Sequence, residues 1–227
     1  MKFGLIITAG GMGSRFGSEN GKQFIDIQGT PMIIYTLNKF LDLPDISQII
    51  ITIEKNKQES LKNLLKKLPS KPDIQIVEGG QTRKDSVANA FHQLKGVDMV
   101  IIHDGARPLV SKTLIKQLMQ KAKTQKAVIP VIPVVDTIKL VKNEQVIKTL
   151  PRDELYKVQT PQIIQYKIYK EALLKNKGTV ITDDASLLEN AGYLVHTVPG
   201  EQSNIKITYP QDLILAKTFL KQLRGLS

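Results

Sequence analysis

The sequence predicts an α/β fold: one doubly wound, mainly parallel sheet with an inserted β-hairpin arm. Three observations predict it. Short apolar, β-branched runs alternate with helical patterns along most of the chain, as strand–helix–strand crossovers in a parallel sheet require. Those runs are nearly continuous, as in strands buried on both faces. The 227 residues carry no internal repeat, low-complexity linker or compositional break, so residues 1–227 read as a single domain with a sizeable core.

Phe3–Thr8 is the first strand. Behind Lys2 it superficially suggests a signal peptide, but it is short and runs into a glycine-rich turn instead of a small-residue cleavage site. Pro31–Leu41 reads as a helix opened by proline at its first position. Ile46–Ile53 is the second strand. Leu61–Leu68 has apolar residues at helical spacing and stops at Pro69. Ile74–Val77, Met99–Ile102 and Ala127–Val131 are further strands. The helices between them, Thr82–Leu94 and Ser111–Ala122, begin on residues suited to cap them. The alternation breaks after Pro133, and residues 134–159 hold the arm. There Thr137–Val141 and Gln145–Leu150 flank a polar Lys142-Asn143-Glu144 turn. Helical patterns resume at Gln165–Lys175 and Thr182–Asn190, where Thr182 makes Asp183-Asp184 a helix start more simply than an acid pair. A strand, Leu194–Val198, and a helix, Pro210–Leu223, complete the chain.

Composition excludes several function classes. There is no cysteine, hence no disulfide scaffold, thiolate nucleophile or cysteine-based metal site. No apolar run approaches the roughly 18 residues of a membrane span, and the chain is expected to be cytoplasmic. The net charge is +11, but its 27 lysines are scattered in solvated patterns. With 5% aromatic residues and no tryptophan, the interleaving of basic and aromatic side chains used to stack nucleic-acid bases is missing. Arginine is scarcer: Arg15, Arg83, Arg107, Arg152 and Arg224. The first four fall in glycine-, proline- or threonine-rich segments, and guanidinium suits bidentate phosphate contacts.

The first strand ends in Ala9-Gly10-Gly11-Met12-Gly13-Ser14-Arg15, followed by Gly21-Lys22-Gln23. Glycines at that place let backbone N–H groups converge on an anion. A dinucleotide fingerprint fails, because Phe16 stands where the third glycine belongs and the next strand ends near Glu54, about twice too far. A P-loop fails too: Gly17 to Gly21 is one residue short, and Gln23 is no magnesium hydroxyl. A nucleoside triphosphate loop with two cations, Arg15 and Lys22, fits the demands of nucleotidyl transfer, where fixed charges stabilise the phosphorus under attack and the departing pyrophosphate. Asp104 ends the fourth main strand, at the edge where open sheets bind ligands. It could hold magnesium, or orient a ribose or second substrate. His103, with no partner at ligand spacing, reads as a structural imidazole. Arg107 could pair with Asp104 or bind a phosphate.

Seven segments in order carry a family resemblance: Ala9-Gly10-Gly11-x-Gly13-x-Arg15 with Lys22-Gln23; Gly79-Gly80-x-x-Arg83-x-x-Ser86; His103-Asp104-Gly105-Ala106-Arg107-Pro108; Asp136-Thr137-Ile138-Lys139; Arg152 with Gln159-Thr160-Pro161-Gln162; Thr182-Asp183-Asp184-Ala185-Ser186; and Asn204-Ile205-Lys206-Ile207-Thr208. From Ala9 to Asp212 the chain resembles the cytidylyltransferases that make CDP-alcohols, above all the 2-C-methyl-D-erythritol 4-phosphate cytidylyltransferases.

The resemblance implies a Rossmann-like nucleotidyltransferase fold, CTP and a sugar-alcohol phosphate as substrates, Mg2+, and a homodimer joined through the arm. It implies that CTP is bound by Ala9, Gly10, Gly11, Gly13, Ser14, Gly80, Gln81, Arg83, Ser86, Asp104 and Gly105, with Gly80, Gln81 and Ser86 reading cytosine. It implies that the second substrate's phosphate is held by Asp104, Arg107, Thr137, Arg152, Thr160 and Lys206. Catalysis would fall to Arg15, Lys22, Arg152 and Lys206, and the metal to Asp104. The chain departs from the family at Gly10, usually alanine, at Gly21, usually proline, and at Gln81, often an acid. Gly10 and Gly21 favour a relative acting on a pentitol phosphate such as ribitol 5-phosphate; Ala106 and Asp184-Ala185-Ser186 favour the methylerythritol type.

Overall fold

The computed structural model describes residues 1–10, 21–68, 73–176 and 181–223. The expected loop residues Gly11, Gly13, Ser14 and Arg15 lie outside them. In chain order the elements are β1 (Phe3–Thr8), β2 (Asp26–Ile27), β3 (Thr30–Pro31), α1 (Met32–Leu37), β4 (Ile46–Ile53), α2 (Gln58–Leu65), β5 (Asp73–Glu78), α3 (Arg83–Phe91), β6 (Met99–Asp104) and α4 (Lys112–Lys121). Then follow β7 (Ala127–Pro133), β8 (Lys139–Lys142), β9 (Gln145–Thr149), β10 (Tyr156–Val158), β11 (Gln162–Gln165), α5 (Tyr166–Lys175), α6 (Asp184–Asn190), β12 (His196–Pro199) and α7 (Pro210–Leu223).

The parallel set β5–β4–β1–β6 forms one side of the main sheet. Beyond β6 the direction reverses: β11 pairs antiparallel with both β6 and β7, β10 pairs antiparallel with β7, and β12 lies parallel to β7. The mainly parallel sheet of the sequence reading is therefore correct, with an antiparallel insertion it did not contain.

Burial explains the unbroken apolar runs. On β1, Leu5 and Ile7 pack with α1, α2 and α4, while Ile6 faces the opposite layer of α3, α5 and α6. All three are fully buried, each worth about 1.5–3 kcal/mol relative to exposure. An alternating strand would have left one layer without a floor.

Several boundaries differ from expectation for local reasons. Pro31 belongs to a small ribbon, β2 against β3, whose turn places Gln28 and Gly29 at φ 54° and 82°. Such positive angles define a two-residue hairpin turn, and α1 starts only at Met32. Thr82 and Ser111 cap α3 and α4 as expected, but Asp183, not Thr182, caps α6, its carboxylate accepting the Ser186 N–H. The residues after Thr160 form β11 before the helix begins at Tyr166.

The arm folds where expected. β8 and β9 pair only with each other among the described strands, about Asn143 and Glu144 at φ 49° and 62°. Val135, Leu140, Val141, Val146 and Ile147 are 45–67% exposed there, an unusual concentration of apolar surface.

Candidate active site

A cleft of about 290 Å³ opens at the carboxyl ends of β1 and β6 and the start of α3. Thr8, Ala9 and Gly10 line it from β1, Gly80, Gln81, Thr82, Arg83 and Ser86 from the α3 side, and Asp104, Gly105 and Ala106 from β6. Lys22, Gln23, Met32 and Lys206 close it. The fold thus gathers, at the edge where wound sheets bind ligands, ten residues expected there on resemblance: Ala9, Gly10, Lys22, Gly80, Gln81, Arg83, Ser86, Asp104, Gly105 and Lys206.

The glycines answer separate demands. A Cβ on Gly80 would lie 2.3 Å from the Asp85 Cβ, so α3 can start this close to the cleft only with glycine there. A Cβ on Gly10 would make ordinary contacts, 3.7 Å from the Ser86 hydroxyl, so the family's usual alanine fits. Gly21 holds φ 83° and ψ 133°, whereas proline is locked near −65°. The departure from proline is therefore built into the turn that delivers Lys22, whose Nζ donates to the Ile207 carbonyl at 3.2 Å.

Asp104 is the electrostatic centre. Its Oδ1 accepts the Arg83 Nε–H at 3.0 Å, and its Oδ2 meets Lys206 Nζ at 2.9 Å and Arg107 Nε at 3.7 Å. Burial alone would push its carboxyl up; the charges of Arg83, Lys206 and Arg107 outweigh that and hold it well below the usual carboxylate range. Arg83 is shared with Asp184, whose Oδ2 accepts its Nη1–H at 2.8 Å. Burial opposes the guanidinium's charge, but the two carboxylates raise its pKa overall.

His103 is wholly buried. Its Nε2 lies 3.1 Å from the Arg107 carbonyl and its Nδ1 3.0 Å from the Thr160 hydroxyl. A carbonyl only accepts, so Nε2 carries the proton and Nδ1 accepts from Thr160. The structural reading of His103 holds, and burial pushes the ring down to about 4. Because an unfolded histidine titrates near 6.5, the native state binds fewer protons between the two values. Stability from this residue is complete above about pH 6.5 and declines as pH falls toward 4, by about 3 kcal/mol in all. NMR titration of the His103 ring is expected to show a midpoint near 4; a midpoint at the ordinary value would refute the neutral, buried ring.

Thr160 itself is 5% exposed. Its hydroxyl donates to His103 and accepts the Asp104 backbone N–H at 3.1 Å. That places it beneath the cleft, bracing the end of β6, not on the surface where a phosphate would lie. Arg107 likewise points away: its Nη1 donates to the Asn204 carbonyl at 2.7 Å, and of its two sequence readings the geometry supports the pair with Asp104. Ser86 lines the cleft, but its hydroxyl accepts the Gly80 N–H and donates to the Thr82 carbonyl, both at 3.0 Å. Thr137 and Arg152 sit exposed on the arm, outside the residues lining this cleft, with Arg152 Nη1 donating to the Val135 carbonyl at 3.1 Å. Lys206 reaches the cleft from an irregular segment.

Sequence reasoning did not assign Thr8, Gln23, Met32, Thr82 or Ala106 to the site. Gln23 had a signal, standing beside Lys22 in the same motif, though as an uncharged side chain it carries no phosphate-binding charge of its own.

The donor set among the described residues does not fit a protein-held metal. Among the described residues no three His, Asp or Glu side chains converge. The carboxylate expected to hold Mg2+, that of Asp104, is already engaged by Arg83, Lys206 and Arg107.

A wound sheet with a cleft at its strand ends, lined by Lys22, Arg83 and Lys206, fits an enzyme of the nucleotidyltransferase class, to which the relatives it matches belong. The family model for 2-C-methyl-D-erythritol 4-phosphate cytidylyltransferase matches residues 3–222. Proteins of that name from Bacillus mycoides and Clostridium beijerinckii are 39% and 40% identical, covering 95% and 96% of this chain and 96% and 98% of theirs. The crystal structure of 4-diphosphocytidyl-2C-methyl-D-erythritol synthase from Anaerococcus prevotii superposes with a TM-score of 0.84 at 31% identity, covering 97% of this chain and 98% of that one. The 2-C-methyl-D-erythritol 4-phosphate cytidylyltransferase from Thermus thermophilus gives 0.79 at 30% identity, covering 97% and 100%. The chain belongs to the 2-C-methyl-D-erythritol 4-phosphate cytidylyltransferase family.

Proposed function

We propose that the protein joins CTP to 2-C-methyl-D-erythritol 4-phosphate, giving CDP-methylerythritol and pyrophosphate in the synthesis of isoprenoid precursors. The observation that carries this reading is the family match over residues 3–222, with four of the seven motifs contributing residues to one cleft. The alcohol's phosphate monoester is already an anionic nucleophile. Its oxygen attacks the α-phosphorus in line, the α–β phosphoanhydride bond breaks, and the electron pair leaves on pyrophosphate. No general base is needed. The chain's contribution is position and charge, and well-oriented reactants can recover about 7–11 kcal/mol of a barrier.

On this reading the backbone at Ala9, Gly10 and the following glycines receives the triphosphate, and Gly80 and Gln81 face the base. Lys22, with Arg15, stabilises charge on the phosphorus under attack. Lys206 holds the attacking phosphate. Mg2+ is proposed only as the counter-ion that triphosphate oxygens themselves recruit, with no protein ligand assigned.

Thr137 and Arg152, exposed on the arm and not among the residues lining this cleft, would serve the phosphate of a second chain's site. A homodimer would allow this and would cover the arm's exposed valines, leucine and isoleucine. A cytoplasmic location accords with substrates of this kind.

The test is pyrophosphate release from CTP with each alcohol phosphate supplied side by side. Methylerythritol phosphate is expected to be turned over; faster turnover of ribitol 5-phosphate would reject the assignment.

A further inference from the structure

The cleft is backed by an acid that the proposed chemistry does not use. Asp184 opens α6 and is 3% exposed. Both its oxygens are engaged: Oδ1 accepts the Tyr169 hydroxyl from α5 at 2.7 Å, and Oδ2 accepts Arg83 Nη1 at 2.8 Å. Tyr169 is itself 1% exposed. Burying a carboxylate and a phenol costs desolvation energy, and where adhesion between helices is the only requirement, apolar residues of similar volume serve as well or better. The arrangement makes sense when the direction of a charge matters.

Arg83 supplies that direction. Its guanidinium is a rigid planar fork, so fixing Nη1 against Asp184 also fixes the line along which Nε meets Asp104 Oδ1, 3.0 Å away. Asp104 then turns its other oxygen to Lys206 at 2.9 Å. Four contacts thus run from the buried α5–α6 layer to an ammonium at the mouth of the cleft.

We propose that Asp184, held by Tyr169, is a positioning residue for nucleotidyl transfer: through Arg83 it sets the orientation of the Asp104 carboxylate and hence of Lys206. The inference rests on the reading that Lys206 holds the attacking phosphate. Asp184→Asn keeps the shape but removes the charge that anchors the fork. Tyr169→Phe removes one hydroxyl and leaves the ring packing in place.

The experiment measures kcat and KM for CTP and for the alcohol phosphate with full-length wild type and both variants. It is run at a temperature where circular dichroism shows each variant folded. Asp184→Asn is expected to lower kcat at least tenfold and Tyr169→Phe about threefold or more, with KM for CTP within about threefold of wild type. A purely structural bond would lower the melting temperature and leave kcat of the folded protein alone; that result overturns the proposal. Should Asp184→Asn not fold, Tyr169→Phe decides by the same criterion. An active wild type with unaffected variants defeats only this inference, whereas a wild type inactive on CTP with every alcohol phosphate defeats the functional reading and the inference with it.

Discussion

Replacing Lys22 with alanine is expected to lower kcat about 100- to 1,000-fold, the usual range for losing one preorganised electrostatic contact to a transition state. KM for CTP should rise far less. The reasoning is differential: the triphosphate is anionic before, during and after the reaction, and on the proposed reading backbone donors bind it throughout. The charge that grows on the phosphorus under attack is new, and only a cation fixed nearby gains from it. Lys22 is so fixed, because the glycine turn at residue 21 aims it into the cleft and the Ile207 carbonyl receives its ammonium. Steady-state kinetics with CTP and methylerythritol phosphate check this. Wild-type turnover by a folded variant would remove Lys22 from the chemistry.

Asp104→Asn should damage the fold as much as the reaction. One carboxylate, 5% exposed, compensates Arg83, Lys206 and Arg107. Removing it leaves Arg107 and Lys206 without their carboxylate and Arg83 with Asp184 alone, a change that costs about 3–5 kcal/mol in buried pairs. Urea denaturation at neutral pH is expected to show a loss of that order, and turnover should collapse even where the variant remains folded. The pH dependence has a definite sign. The native carboxyl is held below its ordinary value, so its contribution is complete above about pH 4 and is lost as pH falls from there toward the native value. The variant should lack that acid-induced loss. A variant as stable as wild type at pH 7 would show that the three cations do not depend on this carboxylate.

Much of this was legible in the sequence because it was written in periodicity. The largely apolar runs at Phe3–Thr8 and Ile46–Ile53 gave strands to the residue, since strands buried on both faces carry few polar interruptions, those of the second falling mainly at Ser47 and Gln48 near its less buried start. The antiparallel insertion was harder to read. β11 is four residues long and joins α5 directly, so its Gln-Ile-Ile-Gln pattern merges with a helical one. The site divided along similar lines. Motif order grouped Gly80, Arg83, Asp104 and Lys206, and all four line one cleft. Which anion each arginine meets is a three-dimensional question: Arg83 and Arg107 both turn to Asp104, though they stand far apart in the chain. Thr160 shows the same limit, because a threonine that braces a buried histidine and one that binds a phosphate look alike in one dimension.

The separateness of the arm has a kinetic consequence. β8 and β9 share no ladder with the eight-stranded sheet, so their amides can open without disturbing it, as small independent units of a native structure do. Their own two-stranded ladder gives those amides little protection from deuterium, so strong protection must come from something laid over them, and it should fade on dilution if the cover is another molecule of the same protein.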